Sequence, residues 1–128
     1  MVYCTQEDLF SRFGEGEIAA VTDRSNSSTP VVDDDVLNDA VSDASKEIDG
    51  WLLGKFIVPT PTPEALVLIC CDITRWLLYD DSLDEETIIH RRYEKAIATL
   101  KSIAAGDFVV DGLVPIDGDG ANVRFIRA

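Results

Sequence analysis

The stretch Thr62-Pro63-Glu64-Ala65-Leu66-Val67-Leu68-Ile69-Cys70-Cys71-Asp72-Ile73-Thr74-Arg75-Trp76-Leu77-Leu78-Tyr79 decides the fold. Thr62 offers a hydroxyl suited to capping a helix. Pro63, with its fixed φ and missing amide proton, suits the first helical position. Downstream, Ala65, Leu66, Ile69, Cys70, Ile73, Trp76, Leu77 and Tyr79 leave almost no polar face. A helix that is apolar nearly all round has to be covered on several sides, so this one is expected at the centre of the domain. Asp72 and Arg75 are its exceptions. They are three residues apart and can reach one another on the helix surface. Charges on a central helix are costly unless paired. Two readings follow. One is an internal Asp72–Arg75 ion pair, extended to Glu47 or Asp49 of the preceding helix and to the Tyr79 hydroxyl. The other is a subunit contact made by Arg75.

Flanking segments supply the cover. Asp33 is placed to cap a long helix in which Val36, Leu37, Ala40, Val41, Ala44, Ile48, Trp51 and Leu52 recur at spacings of three and four. Asp34 and Asp35 fall in its first turn, where the helix dipole favours negative charge. Gly54 is a suitable stop, and Gly50 weakens the last turn. On the other side, Asp84 is expected to cap a third helix with Glu85 and Glu86 in its first turn. Its apolar stripe is Ile89, Tyr93, Ala96, Ile97, Leu100, Ile103 and Ala104, and Gly106 ends it. Between the first two helices, Val58-Pro59-Thr60-Pro61-Thr62-Pro63 is a stiff spacer, because alternating prolines remove donors and hold their neighbours extended.

Nearer the amino terminus, Thr5 and Asp8 form a variant capping box for a short helix that carries Leu9 and Phe13 and stops at Gly14. Glu15–Thr22 forms a second short helix, followed by a Ser/Asn-rich loop over 23–30. Beyond Gly106 the character changes. Two β-prone runs, Phe108-Val109-Val110 and Val123-Arg124-Phe125-Ile126, flank a turn-rich Asp117-Gly118-Asp119-Gly120. Such a tail is either a hairpin laid on the helices or an arm that orders on a partner. Strand addition would engage Phe108, Val109, Val110, Val123, Phe125 and Ile126, which make up the candidate partner-binding set. The expected fold is mainly α: a small antiparallel helical bundle over 1–106 with two short leading helices, and an extended or β-hairpin tail over 107–128.

The chain has 128 residues, is 46% hydrophobic, and carries 24 acidic against 11 basic residues, a formal charge of -13. At this size roughly two thirds of the unfolded surface can be buried, so a core needs neither disulfides nor metal. The longest apolar run is far short of the ~20 residues that span a bilayer. Met1 to Asp8 lacks the basic-then-apolar order of a signal peptide, so folding in a cytoplasm is the expectation. An acidic chain has no basic footprint for a phosphate backbone and is repelled by an anionic membrane. The acid is concentrated in the first fifty residues. Asp34, Asp35, Asp39 and Asp43 should form an electronegative face.

The residues offer little for chemistry. Cys4, Cys70 and Cys71 are odd in number and lack metal-ligand spacing, so they are assigned to packing. The single His90 has no nucleophile elbow to serve and reads as a solvated or half-buried helix residue. Asp117-Gly118-Asp119-Gly120 lacks the third acid and closing glutamate of a calcium loop and reads as a turn. Asp33-Asp34-Asp35 is explained by capping and the helix dipole. No cofactor, metal or catalytic constellation is expected. An acidic regulatory protein that mimics DNA fits the charge alone.

The order of several motifs adds a resemblance. Tyr3-x-Thr5-x-x-Asp8-Leu9 with Arg12-Phe13-Gly14 is followed by Thr22-Asp23 and by Ala44-Ser45-Lys46-Glu47-Ile48-Asp49-Gly50-Trp51-Leu52. Pro59 and Pro63 then precede Cys71-Asp72-Ile73-Thr74-Arg75-Trp76-Leu77-Leu78-Tyr79, and Arg92-Tyr93-Glu94-Lys95-Ala96 leads to Ile103-Ala104-Ala105-Gly106. In this order and spacing the chain resembles the small virion proteins of Mu-like phages and prophages, a family similar to the helical head–tail connectors (adaptors) of tailed phages. The resemblance implies a non-catalytic subunit of the virion neck, made in the host cytoplasm. Its copies, typically twelve, would form a homo-oligomeric ring on the portal protein, above a stopper or tail protein, with DNA passing through unbound and no membrane contact. A stopper or tail-completion role is implied equally. The carboxy-terminal arm would grip the portal, and the acidic face of Asp34, Asp35, Asp39 and Asp43 would line the channel.

Overall fold

Local capping sets the element boundaries in the computed structural model, which describes residues 1–25, 27–79 and 87–116. Thr5 and Asp8 close a reciprocal capping box at the start of α1 (Gln6–Phe13). Gly14, at φ 92°, both ends α1 and opens α2 (Glu15–Thr22), a positive-φ junction that glycine occupies at no steric cost. The Asp33 carboxylate accepts from the amides of Asp35 and Val36 at the start of α3 (Asp34–Leu52). Leu53 and Gly54 then turn the chain into a two-residue strand, β1 (Phe56–Ile57). The proline spacer follows, and Pro63, whose carbonyl accepts from Leu66 and Val67, leads into α4 (Glu64–Tyr79).

The third long helix, α5 (Ile88–Ala105), is capped by the Thr87 hydroxyl, which accepts from the His90 amide. The described helix thus starts at Ile88, and the expected cap Asp84, with Glu85 and Glu86, lies outside the described residues. Thr87 suits that role because a cap needs an acceptor within reach of the second or third helical amide. Gly106, in the left-handed region, ends α5 as the sequence indicates.

The core confirms α4 as the central element. Leu66, Ile69, Cys70, Cys71, Ile73, Thr74 and Leu78 are all buried, and α4 touches α1, α2, α3 and α5. Leu78 is inside while Leu77 is exposed, the reverse of the regular stripe. A helix covered from several sides buries a wide arc that follows its neighbours rather than one ridge. Facing it are Leu37, Ala40, Val41, Ala44, Ile48 and Leu52 of α3 and Ala96, Leu100 and Ile103 of α5. Late α4 meets early α5, where Trp76 lies 4.6 Å from His90 and 5.5 Å from Tyr93 between ring centroids. The chain after α5 returns to the start of α4, with Gly112 beside Pro63. Helices α4 and α5 are thus antiparallel.

The described part of the tail, 107–116, lies on the bundle. Val110 is buried in the core. Gly112, at φ 95°, fits against Pro59, where an added Cβ would come within 3.3 Å of the proline ring. Strand β2 (Val114–Pro115) pairs antiparallel with β1, Phe56 opposite Pro115 and Ile57 opposite Val114. The Ile116 amide continues the ladder to the Lys55 carbonyl at 2.8 Å. The strand thus falls at Val114–Pro115 and not at the β-prone Phe108-Val109-Val110, because pairing follows the position of β1 and Val110 is drawn into the core. Residues 117–128, including Asp117-Gly118-Asp119-Gly120, lie outside the described residues.

Candidate interaction surfaces

The side chains singled out in the sequence lie on the surfaces of α3, α4, α5 and the tail, and their geometry shows which of them are engaged inside the fold and which face outward. Asp72 and Arg75 are the first test. They do not pair with one another. Arg75 instead grips Glu17 of α2 through Nε at 2.8 Å and Nη2 at 3.0 Å, and Asp72 accepts from Arg12 of α1 at 3.2 Å. Tyr79 donates to the same Glu17 carboxylate at 2.9 Å, so the expected link to Tyr79 exists but runs through α2. Phe13 lies beneath both guanidinium groups, 4.2 Å from Arg75 and 5.4 Å from Arg12. The correction has a geometric reason: α1 and α2 pack across the polar side of α4, and a bidentate fork onto a carboxylate outcompetes a neighbour on the same helix.

This cluster is electrostatically tuned. Burial alone would raise the Glu17 carboxyl, but the Arg75 and Tyr79 hydrogen bonds and the Arg75 charge outweigh it and hold Glu17 below the usual carboxylate range. Burial and the adjacent Glu17 push Tyr79 up. Arg75 is therefore committed inside the fold, largely shielded from solvent, and serves to fix the α1–α2 unit on α4.

The acidic face fares differently. Asp34, Asp35, Asp39 and Asp43 are all exposed on α3, and the Asp34 carboxylate accepts from Gln6 at 2.8 Å. Lys46 is the one basic residue on α3, against Asp34, Asp35, Asp39, Asp43, Glu47 and Asp49. Helix α5 has the opposite bias: Arg91, Arg92, Lys95 and Lys101 against Glu94. Arg92 and Lys95 join Arg12, Asp72 and Thr99 around an open groove of about 350 Å³ between α4 and α5, whose apolar lining includes Leu68 and Ile69. Charge counted along the sequence shows an amino-terminal excess of acid and does not assign the two signs to different helices. The signal was present in Arg91-Arg92 and Lys95, within an otherwise acidic chain.

Of the candidate partner-binding residues, Phe108 and Val109 are exposed, Val109 at 86%. Val110 is only 6% exposed and belongs to the core, so it is removed from that set. Val123, Phe125 and Ile126 lie outside the described residues. Leu53 and Ile57, on the chain that meets the tail at the β1–β2 pairing, are also exposed. His90 is half-buried, with its Nδ1 3.7 Å from Glu94. Among the described residues no group of three acidic, histidine or cysteine side chains is arranged to hold a metal. No described helix is long and apolar enough to cross a membrane.

Comparison with known proteins places this architecture. Residues 3–114 match the model of the family described as Bacteriophage Mu, Gp36. The chain belongs to the bacteriophage Mu Gp36 family. "Gene product J" of Escherichia phage Mu is 31% identical over 107 residues, covering 83% of this chain and 74% of that protein. "Mu-like prophage FluMu protein gp36" of Haemophilus influenzae is 32% identical over 76 residues, covering 59% of this chain and 52% of that protein. The Gp36 match ends at Val114, so it takes in α1 to α5 and the buried Val110. That a Mu-like phage family was legible from motif order is consistent with where those motifs sit: Thr5 and Asp8 at a cap, Gly14 at a positive-φ junction, Thr22 and Asp23 at the loop before α3. The Thr22 hydroxyl accepts from the Asp33 amide at 3.0 Å, and the Asp23 carboxylate accepts from the Val31 amide at 2.9 Å. Together they fold that loop back onto the bundle.

Proposed function

We propose that this Gp36-family chain is a structural, non-catalytic subunit of the virion neck. In this reading it is a head–tail connector (adaptor) whose copies form a ring on the portal protein and extend the DNA channel. Membership of a Mu phage family carries the reading, and four features support it. A core built around one buried helix gives a rigid small subunit. The exposed acid of α3 suits a channel wall, since carboxylates repel a phosphate backbone at close range and let DNA slide through unbound. The basic bias of α5 leaves a second, differently charged face for contact with a neighbouring copy, clear of the channel-facing acid of α3, and contacts between different faces are the geometry that closes into rings. Exposed Phe108 and Val109 offer the portal an apolar contact beside the β1–β2 edge. The chain would be made in the host cytoplasm and retained in the particle, with a stopper or tail protein below the ring and no cofactor or membrane involved.

Cross-linking mass spectrometry on purified particles of the source phage tests this. Many copies per particle, with links from Lys101 or the amino terminus to the portal, are expected. Links to tail proteins without the portal would assign a stopper or tail-completion role. Absence from the particle would overturn the structural reading and favour an acidic DNA mimic, the one other class that the charge suits.

A further inference from the structure

All three cysteines are buried, as a packing role requires. Their arrangement goes further. Cys4 lies on the extended segment before α1, and Cys70 lies in the middle of α4. Their sulfurs are 3.0 Å apart, with the Cys4 thiol donating to Cys70, closer than two non-bonded sulfurs ordinarily sit and within about an ångström of bonding distance. Neighbouring bonds hold Cys4 in place. On one side the Tyr3 amide donates to Ser45 at 3.1 Å and the Tyr3 hydroxyl to Asp49 at 2.6 Å; on the other, Thr5 is fixed in the capping box. Ser45 Oγ and Thr74 Oγ1 stand 3.8 and 4.0 Å from Cys70 Sγ. Cys71, one residue along the helix, packs in the same core.

We propose that Cys4 and Cys70 form an oxidisable dithiol that closes into an intramolecular disulfide, tying the amino-terminal segment to the central helix. The oxidant is a small-molecule disulfide of the glutathione class. Cys4 sits next to α1, whose ties to α4 are partly polar, whereas Cys70 lies in the middle of the central helix, so partial opening of the leading segment exposes Cys4 to the oxidant first. Deprotonated Cys4 attacks one sulfur of the oxidant, forms a mixed disulfide and releases one small thiol. When the segment settles back, Cys70 loses its proton to solvent. Its thiolate, which the Ser45 and Thr74 hydroxyls are placed to stabilise, attacks Cys4 Sγ and expels the second small thiol. Two protein thiols are oxidised by two electrons, and one disulfide is reduced to two thiols. The closed loop runs from residue 4 to residue 70, and such long loops gain most from closure. This inference does not depend on the neck reading.

The full chain, purified reduced, is incubated with oxidised glutathione both when folded and while refolding from denaturant, so that burial does not limit access. Free thiols are then alkylated under denaturing conditions and the products are mapped by mass. The expected product is about 2 Da lighter before alkylation, keeps one alkylatable thiol at Cys71, and yields a Cys4–Cys70 linked peptide. Its Tm should rise by about 10 °C. Cys71→Ser should leave the link intact, and Cys4→Ser and Cys70→Ser should each abolish it. Three alkylatable thiols after refolding in the oxidant, a glutathione adduct that does not resolve, or a link to Cys71 would each overturn the proposal. The wild-type map decides the matter even where a variant fails to fold.

Discussion

Arg75 shows how far a single residue can be read without its partner. Its position on an otherwise apolar helix announces that a counter-charge must be nearby, because an unpaired cation there would be costly. The identity of that counter-charge is a tertiary fact: Glu17 is 58 positions away in sequence and arrives only because α2 lies across α4. Removing the guanidinium by Arg75→Ala should destabilise the fold by about 2 kcal/mol, since a charged, hydrogen-bonded carboxylate loses its fork. Urea melts would check this. Arg75→Lys should recover only part of the loss, because an ammonium cannot bond both oxygens in one plane. The pH dependence has a definite sign. Glu17 titrates lower when folded than when unfolded, so its contribution is present above the unfolded carboxyl pKa and is lost as pH falls through the folded one. Glu17→Gln should flatten the acid limb of a stability-versus-pH curve while lowering stability at neutral pH.

Among the elements, the three long helices and two short ones were legible because apolar spacing and capping chemistry are local signals. Asp33, Gly14 and Gly106 do in the structure what their types suggest. The tail was harder. Val110 is part of a β-prone run, yet it packs among helices, and the strand forms four residues later, where β1 is available. No local property of Phe108-Val109-Val110 encodes that outcome. Truncation now separates two roles. Ending the chain after residue 106 should lower stability clearly, as Val110 and the β1–β2 pairing go with it. Ending it after Ile116 should give a form that melts well above the one ending at residue 106, because it keeps Val110 and the β1–β2 pairing. Val110→Ala alone should cost roughly 2 kcal/mol from lost burial and a residual void. Circular dichroism melts of the three forms would check the order. In Phe108 and Val109, exchange for serine should spare stability and weaken particle incorporation, as their side chains face outward.

At the scale of the whole molecule, the net charge of -13 conceals an arrangement: acid on α3, base on α5. Composition alone announces the excess, but only the folded chain assigns the two signs to different helices of one bundle. If the basic face of α5 makes the contact between neighbouring copies while the α3 acid stays on the channel, self-association should weaken as salt rises, and Arg92→Glu with Lys95→Glu should reduce it severalfold without lowering the Tm. Sedimentation at two ionic strengths would check this. Replacing Asp35, Asp39 and Asp43 by lysine should leave the fold intact and hinder DNA release from particles, measured as slower ejection. The polar ties of α1 and α2 to α4 have one more consequence. The three long helices interlock through apolar side chains, whereas the leading pair adds Arg75–Glu17 and Arg12–Asp72 to a smaller apolar contribution from Leu9 and Ile18. The leading pair should therefore open first, so that its amides exchange with deuterium through a partial unfolding while those of α4 wait for the global event.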